Sequence, residues 1–319
     1  MYNSLSYKTK QFFSLIIKLS IVIGCGYFIY LRLMENEQLK FSVFYLNLIE
    51  NNVFTLKNCS ILIIFTTFNW FFEISKWHLL ISFINKYSFK KALIQSLASL
   101  TTSLITPNRI GEYGAKALCF EKKQRNQVLG LNLVGNFYQL LMTFIFGIIG
   151  FSYFIYQHKI GIDFYQIFKV ILLCFSVITV FFFITKYFNH SNSFFEKART
   201  FTKKISLRLN LKVCLFSFLR FVTFSHQFYI LLLIFKIDIS YFNALSAITS
   251  VYLIASVVPM LSMFDFVLKG TVAIWIFSFY NVQPIIILSI TSIMWLLNFV
   301  LPAIIGSYFV LTFKPNFVK

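Results

Sequence analysis

Two stretches of the chain, offset by 152 residues, carry one device. A polar-spotted helical pattern opens at Ala92-Leu93, runs to Pro107 and is followed by Glu112 and Lys116. A second opens at Ala244-Leu245, runs to Pro259 and is followed by Asp265 and Lys269. Each copy predicts a helical arm, a proline break, and an acid and a lysine at i, i+4 on one face of a second helix. In a chain this apolar such charges are costly unless they surround something polar. Broken helices at corresponding positions of two halves are the best sequence-level pointer to a transport site in a membrane protein.

The apolar content sets the solvent. With 58% hydrophobic and 12% charged residues among 319, and a mean hydropathy of +0.76, the chain has too little polar surface to coat a soluble globule. Several segments reach the roughly 20 apolar residues that cross a bilayer core as a helix. Alternating ten-residue strands are not evident, so the spans are expected as helices and not as a barrel. The expectation is an all-α polytopic membrane protein, one transmembrane domain over 1–319, with spans near 11–31, 59–84, 126–156, 167–187, 214–236 and 284–312. These about six full helices are joined by two broken hairpins near 92–120 and 241–281. The 43 Phe and 17 Tyr suit lipid-facing bulk and interfacial anchoring.

A net charge of +19 invites a nucleic-acid reading, which its distribution rejects. Eighteen basic residues fall on the side of both termini, among them Lys8, Lys86, Lys123, Lys203 and Lys319; six, including Lys40 and Lys159, fall on the other. That asymmetry places both termini in the cytoplasm. Anionic lipid headgroups at the cytoplasmic face are then the expected partners, at roughly 1 kcal/mol per basic residue near the surface. No aromatic-interleaved soluble module is present to carry nucleic acid, which is not expected as a partner. With this topology residues 92–120 enter and leave from the cytoplasmic side and 241–281 from outside. Three spans lie between, so the hairpins are expected to be inverted and re-entrant.

Other segments say less. An apolar patch at Phe41 to Leu48 suggests a short interfacial helix, and the basic stretch 191–212 suggests one lying flat on the cytoplasmic leaflet. Lys18 interrupts the first apolar run, which argues against an export signal and keeps that segment as a transmembrane helix. Cys25, Cys59, Cys119, Cys174 and Cys214 are scattered without metal or redox spacing.

The text from Ser99 to Leu118 is the most specific in the chain. Its serines and threonines can return hydrogen bonds to a broken backbone, and Gly111 permits close approach. Arg109 keeps its charge and presents a planar fork suited to phosphate, while Glu112 can pair with Arg109, with Lys116 or with a cationic headgroup. The core Thr106-Pro107-Asn108-Arg109-Ile110-Gly111-Glu112, the Lys76-Trp77-His78-Leu79-Leu80 end of the second span, and the element from Pro259 through Asp265 to Lys269 resemble the flippase-like transmembrane region of lysylphosphatidylglycerol synthases, the multiple peptide resistance factor type. More closely, they resemble stand-alone bacterial proteins that carry this region without the synthase domain. The resemblance implies a lipid translocase of the bacterial inner (cytoplasmic) membrane, moving a phospholipid or other lipid-linked headgroup between leaflets. It implies a substrate site of Pro107, Arg109, Gly111, Glu112, Pro259, Asp265 and Lys269, to which the neighbouring Asn108 and Lys116 are added as expected substrate-binding residues. The chain departs from that family where relatives often read Gly-x-Arg-Glu, having Phe266-Val267-Leu268-Lys269.

Four further intramembrane residues are secondary candidates. Glu73 and Lys76, one turn apart, either neutralise each other or contact substrate. Arg220 either snorkels to the cytoplasmic end of its span or works in the site. His226 reads as an interhelical hydrogen-bond partner before a proton carrier, and Asn136 and Gln139 as glue between helices. An enzyme would need a nucleophile with a base, paired aspartates on a metal, or a His-Glu-x-x-His helix, none of which the sequence displays. A transporter without cofactor or metal is therefore expected. A non-transporting assembly subunit, a lipid-modifying enzyme and a homo-oligomeric state are kept as alternatives.

Overall fold

The computed structural model describes residue 46 and residues 48–104, 106, 109–160, 205–257 and 265–313. Every regular element among these residues is helical. In order they are α1 (Leu56–Ile81), α2 (Phe89–Ser103), α3 (Ile110–Leu118), α4 (Arg125–His158), α5 (Leu207–Ile234), α6 (Tyr241–Val257), α7 (Asp265–Ser278) and α8 (Pro284–Trp295). A π-helical segment, Leu296–Val300, then leads into α9 (Leu301–Thr312).

Local sequence sets several of these starts. The Thr55 hydroxyl accepts from the Asn58 amide at the start of α1, Ser88 accepts from Lys91 at α2, and Ser206 accepts from Leu209 at α5. Each hydroxyl satisfies one of the orphan donors of a first helical turn. Pro284 opens α8, where its missing N–H costs nothing.

Three helical units are long and apolar enough to cross a membrane by length and composition: α4 with 34 residues, α5 with 28, and α8 through α9 with 29. Helix α1 has 26 residues, but its buried face carries Thr66, Asn69, Glu73 and Lys76. These four units fall on the expected spans at 59–84, 126–156, 214–236 and 284–312. The expected spans at 11–31 and 167–187 lie outside the described residues. Of the interfacial helix expected over 191–212, residues 207–212 instead open the long α5, and most of the remainder lies outside the described residues. Of the Phe41 to Leu48 patch, only Leu46 and Leu48 are described, both helical.

Packing follows a two-fold rule. Helix α1 lies along α5 at the centre, where Gln227 on α5 donates its amide to Leu62 O at 3.1 Å and to Thr66 Oγ1 at 2.8 Å. Helix α2 packs on α9, and α6 packs on α4, so the first arm of each hairpin is gripped by the last helix of the other half. Exchanging α1 with α5, α2 with α6, α3 with α7, and α4 with α8 through α9 leaves the pattern of these pairings unchanged. The repeat therefore reaches beyond the two hairpins that betrayed it in the sequence.

Glycines make the two grips possible. A Cβ at Gly150 on α4 would run into Thr249 Oγ1 of α6, and one at Gly306 on α9 would run into Leu97 O and Thr101 Oγ1 of α2. Thr249 follows Leu97 by the same 152 residues that separate the two hairpins. Without water to drive helices together, such backbone-to-backbone approaches and their hydrogen bonds do much of the joining. Thr101 Oγ1 donates to Ala303 O at 3.0 Å across the second grip.

Candidate functional site

The first break is closed by hydroxyls. Thr106 Oγ1 donates to Ser103 O at 3.0 Å and accepts the Gly111 amide at 2.8 Å, joining the end of α2 to the start of α3. Thr102 Oγ1 donates to Ser99 O at 2.9 Å and reaches Gly111 O at 3.3 Å. A Cβ at Gly111 would meet Thr102 O, so the two arms touch only because that residue is glycine. Between them Arg109, the residue capping α3, has φ 57° and ψ 27°. A left-handed backbone costs a non-glycine residue on the order of 1–3 kcal/mol. Glycine would adopt it freely, so the position carries an arginine at a cost in stability.

The Arg109 guanidinium lies over the Phe299 ring, 5.3 Å from its centroid, and the Lys269 ammonium from α7 lies 5.8 Å from the same centroid. One aromatic ring thus brings together a cation from each hairpin. Both cations line a cavity of about 530 Å³, as does Arg220 of α5. Its other walls carry the amides of Asn69, Asn136, Gln139 and Asn298, the hydroxyl-bearing Tyr113, Thr143, Tyr252 and Ser256, and the rings of Trp70, Phe221 and Phe224. Leu140, also on the wall, is 44% exposed.

Phe299 and Asn298 owe their placement to the π-helical segment. Pro302 has no N–H to return to the carbonyl four residues earlier, which is Asn298. That carbonyl instead accepts from Trp70 Nε1 at 3.2 Å. The Asn298 side chain accepts from Asn69 Nδ2 at 2.8 Å and donates to Gln227 Oε1 at 2.9 Å. Asn69 Oδ1 in turn accepts from Arg220 Nε at 3.2 Å, and Arg220 Nη1 donates to Glu73 Oε2 at 2.7 Å. Lys76 Nζ sits 2.7 Å from the same Glu73 oxygen, in charge contact but off the line of a hydrogen bond. A chain of amides from α1, α5 and the π segment therefore fixes Arg220 against the cavity. Arg220 does not snorkel to the surface; it is held by a carboxylate on another helix.

Glu112 and Lys116 are turned elsewhere. Lys116 Nζ donates to Glu112 Oε1 at 2.7 Å and to Asn132 Oδ1 at 2.8 Å, and lies 4.1 Å over the Trp77 ring. Trp77 Nε1 donates to Gln95 Oε1 at 2.9 Å. With Lys116 2% exposed, this is a closed buried cluster joining α1, α2, α3 and α4 and standing off the cavity wall. His226 also stands off the wall, between Val222 O and the Tyr241 hydroxyl at 2.8 Å each, the second bond joining α5 to α6. Asn136 donates to the Tyr113 hydroxyl at 2.9 Å while lining the cavity, so it is glue and wall at once.

Of the residues singled out in the sequence, the structure gathers Arg109, Lys269 and Arg220 at one cavity. Glu73 stands behind Arg220, Lys76 stands behind Glu73, and Gly111 serves the contact between arms. Pro107, Asn108 and Pro259 lie outside the described residues, and of Asp265 only the backbone, opening α7, is described. Sequence reasoning passed over Asn69, Tyr113, Asn298 and Phe299. Asn298 had a visible signal in the proline four residues on, and Asn69 stands one turn before Glu73 on the same helical face. Compared with known proteins, the chain matches no family model, no curated sequence and no solved structure, so the chemistry of the cavity carries its functional reading.

Proposed function

We propose that the protein is a polytopic inner-membrane lipid translocase, which moves a phospholipid or other lipid-linked headgroup between leaflets while the acyl chains stay in the bilayer. The observation that carries the reading is one polar cavity, walled by three membrane-length helical units, into which Arg109, Arg220 and Lys269 project from three different elements. A bare ion entering hydrocarbon loses hydration worth on the order of 20 kcal/mol in the idealised limit. Fixed cations and amides replace that hydration at no reorganisation cost while the headgroup crosses. The start of α3 at the wall adds the partial positive charge of a helix N-terminus. The two-fold exchange of packing partners supports hairpins that enter from opposite faces, as in transporters built on inverted repeats. The resemblance to the flippase-like region of lysylphosphatidylglycerol synthases points the same way.

The test is a proteoliposome assay with fluorescent phospholipids in both leaflets and a membrane-impermeant quencher. Purified protein is expected to accelerate exchange of the inner pool, and Arg109→Gln to slow it at least tenfold. Exchange no faster than in empty vesicles would overturn the reading. If the variant then altered only assembly with other membrane proteins, the alternative of a non-transporting subunit would stand.

A further inference from the structure

We infer that Arg220 grips a phosphate of the ligand headgroup by letting go of Glu73, and that Lys76 is the positioning residue that takes Glu73 over while it does so. The inference rests on the translocase reading for its place in transport, but not for binding.

Glu73 has more counter-charge than it needs. Arg220 Nη1 and Lys76 Nζ each lie 2.7 Å from the same carboxylate oxygen, Oε2. Arg220 alone would neutralise that carboxylate, and it does so through a hydrogen bond, whereas Lys76 touches it without one. Lys76 is nevertheless 2% exposed. A second ammonium held so deep, with no acceptor in line, is costly unless the molecule uses it. The neighbouring Glu112 and Lys116 answer each other and give Lys76 no other carboxylate.

The two cations differ in reach. The Arg220 side chain is 19% exposed and stands on the cavity wall, while Lys76 stands behind it. A guanidinium holds phosphate best through two parallel N–H groups of one edge. Arg220 has two such edges, Nε with Nη2 and Nη1 with Nη2, and each already has a protein acceptor: Asn69 Oδ1 lies 3.2 Å from Nε, and Glu73 Oε2 lies 2.7 Å from Nη1. To close a fork on phosphate, one of these bonds has to open. Asn69 is buried and its amide nitrogen is already given to Asn298, so opening the Nε bond would leave Oδ1 a buried acceptor with no donor standing by. Opening the Nη1 bond leaves Glu73 with Lys76 already at contact distance. A small turn of the ammonium into line converts that contact into a hydrogen bond. Gly135 on α4 leaves room for the turn, since even a Cβ there would lie 3.7 Å from Lys76 Cε.

The experiment follows the full chain in detergent micelles by difference infrared spectroscopy and by native mass spectrometry. The probes are phosphatidylglycerol, diacylglycerol, which lacks the phosphate, and water-soluble glycerol phosphate. Phosphatidylglycerol is expected to shift a carboxylate band that the double variant Glu73→Gln/Lys76→Met lacks. Lys76→Met is expected to bind phosphatidylglycerol roughly tenfold or more weakly, because Arg220 then leaves Glu73 bare, yet to melt no lower than the parent, because the pair of Arg220 and Glu73 remains. The double variant is expected to bind as the parent does, since no carboxylate holds Arg220 back. A band that does not move, or a Lys76→Met variant that binds as tightly as the parent, would overturn the inference. Should Lys76→Met fail to fold, the band in the parent still decides, together with Lys76→Arg, which is expected to keep both the shift and the affinity. An equal shift with diacylglycerol would overturn the phosphate contact, and a shift with glycerol phosphate but not with phosphatidylglycerol would overturn the lipid as its source. A shift without exchange in vesicles would overturn the translocase reading and leave the handover standing. Exchange without a shift would do the reverse.

Discussion

Arg109 joins stability and function in one residue. Its left-handed backbone opposes its side chain, so Arg109→Gly should raise thermal stability by up to about 1 kcal/mol while abolishing exchange of labelled lipid. A glycine variant that unfolds earlier than the parent would show that the guanidinium holds the break together and does not serve a ligand. Arg109→Lys keeps the charge and loses the planar fork, so it should still slow exchange. Because Arg109 and Lys269 share Phe299, their alanine variants should be non-additive in transport, with a coupling of about 0.5–3 kcal/mol. Strictly additive losses would mean that the hairpins do not build a common site. Glu112 is expected to behave oppositely. Glu112→Gln leaves Lys116 buried without a counter-charge, at roughly 3–5 kcal/mol, and should appear as loss of folded protein. Lys116→Met in the same chain should restore accumulation; transport lost with accumulation intact would put Glu112 back at the ligand.

At the scale of elements the glycine grips decide how the helices lie. Gly306→Val and Gly150→Val should each cost about 1–3 kcal/mol or more in unfolding assays in detergent, because the backbone across the contact cannot retreat. Gly114, where an added Cβ meets nothing within 4 Å, is the control, and Gly114→Ala should be neutral or slightly stabilising in a helix interior. Equal effects at all three would dissolve the distinction between gripping and ordinary helical glycines. The helices themselves were legible because apolar length and the proline at each break act locally. Which way α3 turns was not. Spacing puts Glu112 and Lys116 on one face, but the face is chosen by Trp77 and Asn132, which come from other helices. The fate of Arg220 was hidden for the same reason, since its partner Glu73 lies 147 residues away.

The whole molecule reads as two halves clasped by exchanged helices. Its proposed orientation is open to a direct check. In a background without native cysteines, labels at Lys123→Cys and Lys203→Cys should react only from the cytoplasm, and those at Lys40→Cys and Lys159→Cys only from outside. Reaction of the Lys123 and Lys40 positions from one side would sink the inverted arrangement. The offset of 152 residues announced the repeat, yet the sequence did not show that each half is completed by the other. That clasp has a consequence in time. Thr101 meets Ala303 across 202 residues of chain, so the surface of α2 around Leu97 stays uncovered until α9 is made. At about 5–20 residues per second, a nascent chain waits roughly 10–40 seconds for that partner. During synthesis the first half is thus an unfinished object, and a ribosome that stops before α9 releases a protein whose first described hairpin keeps one face of α2 bare.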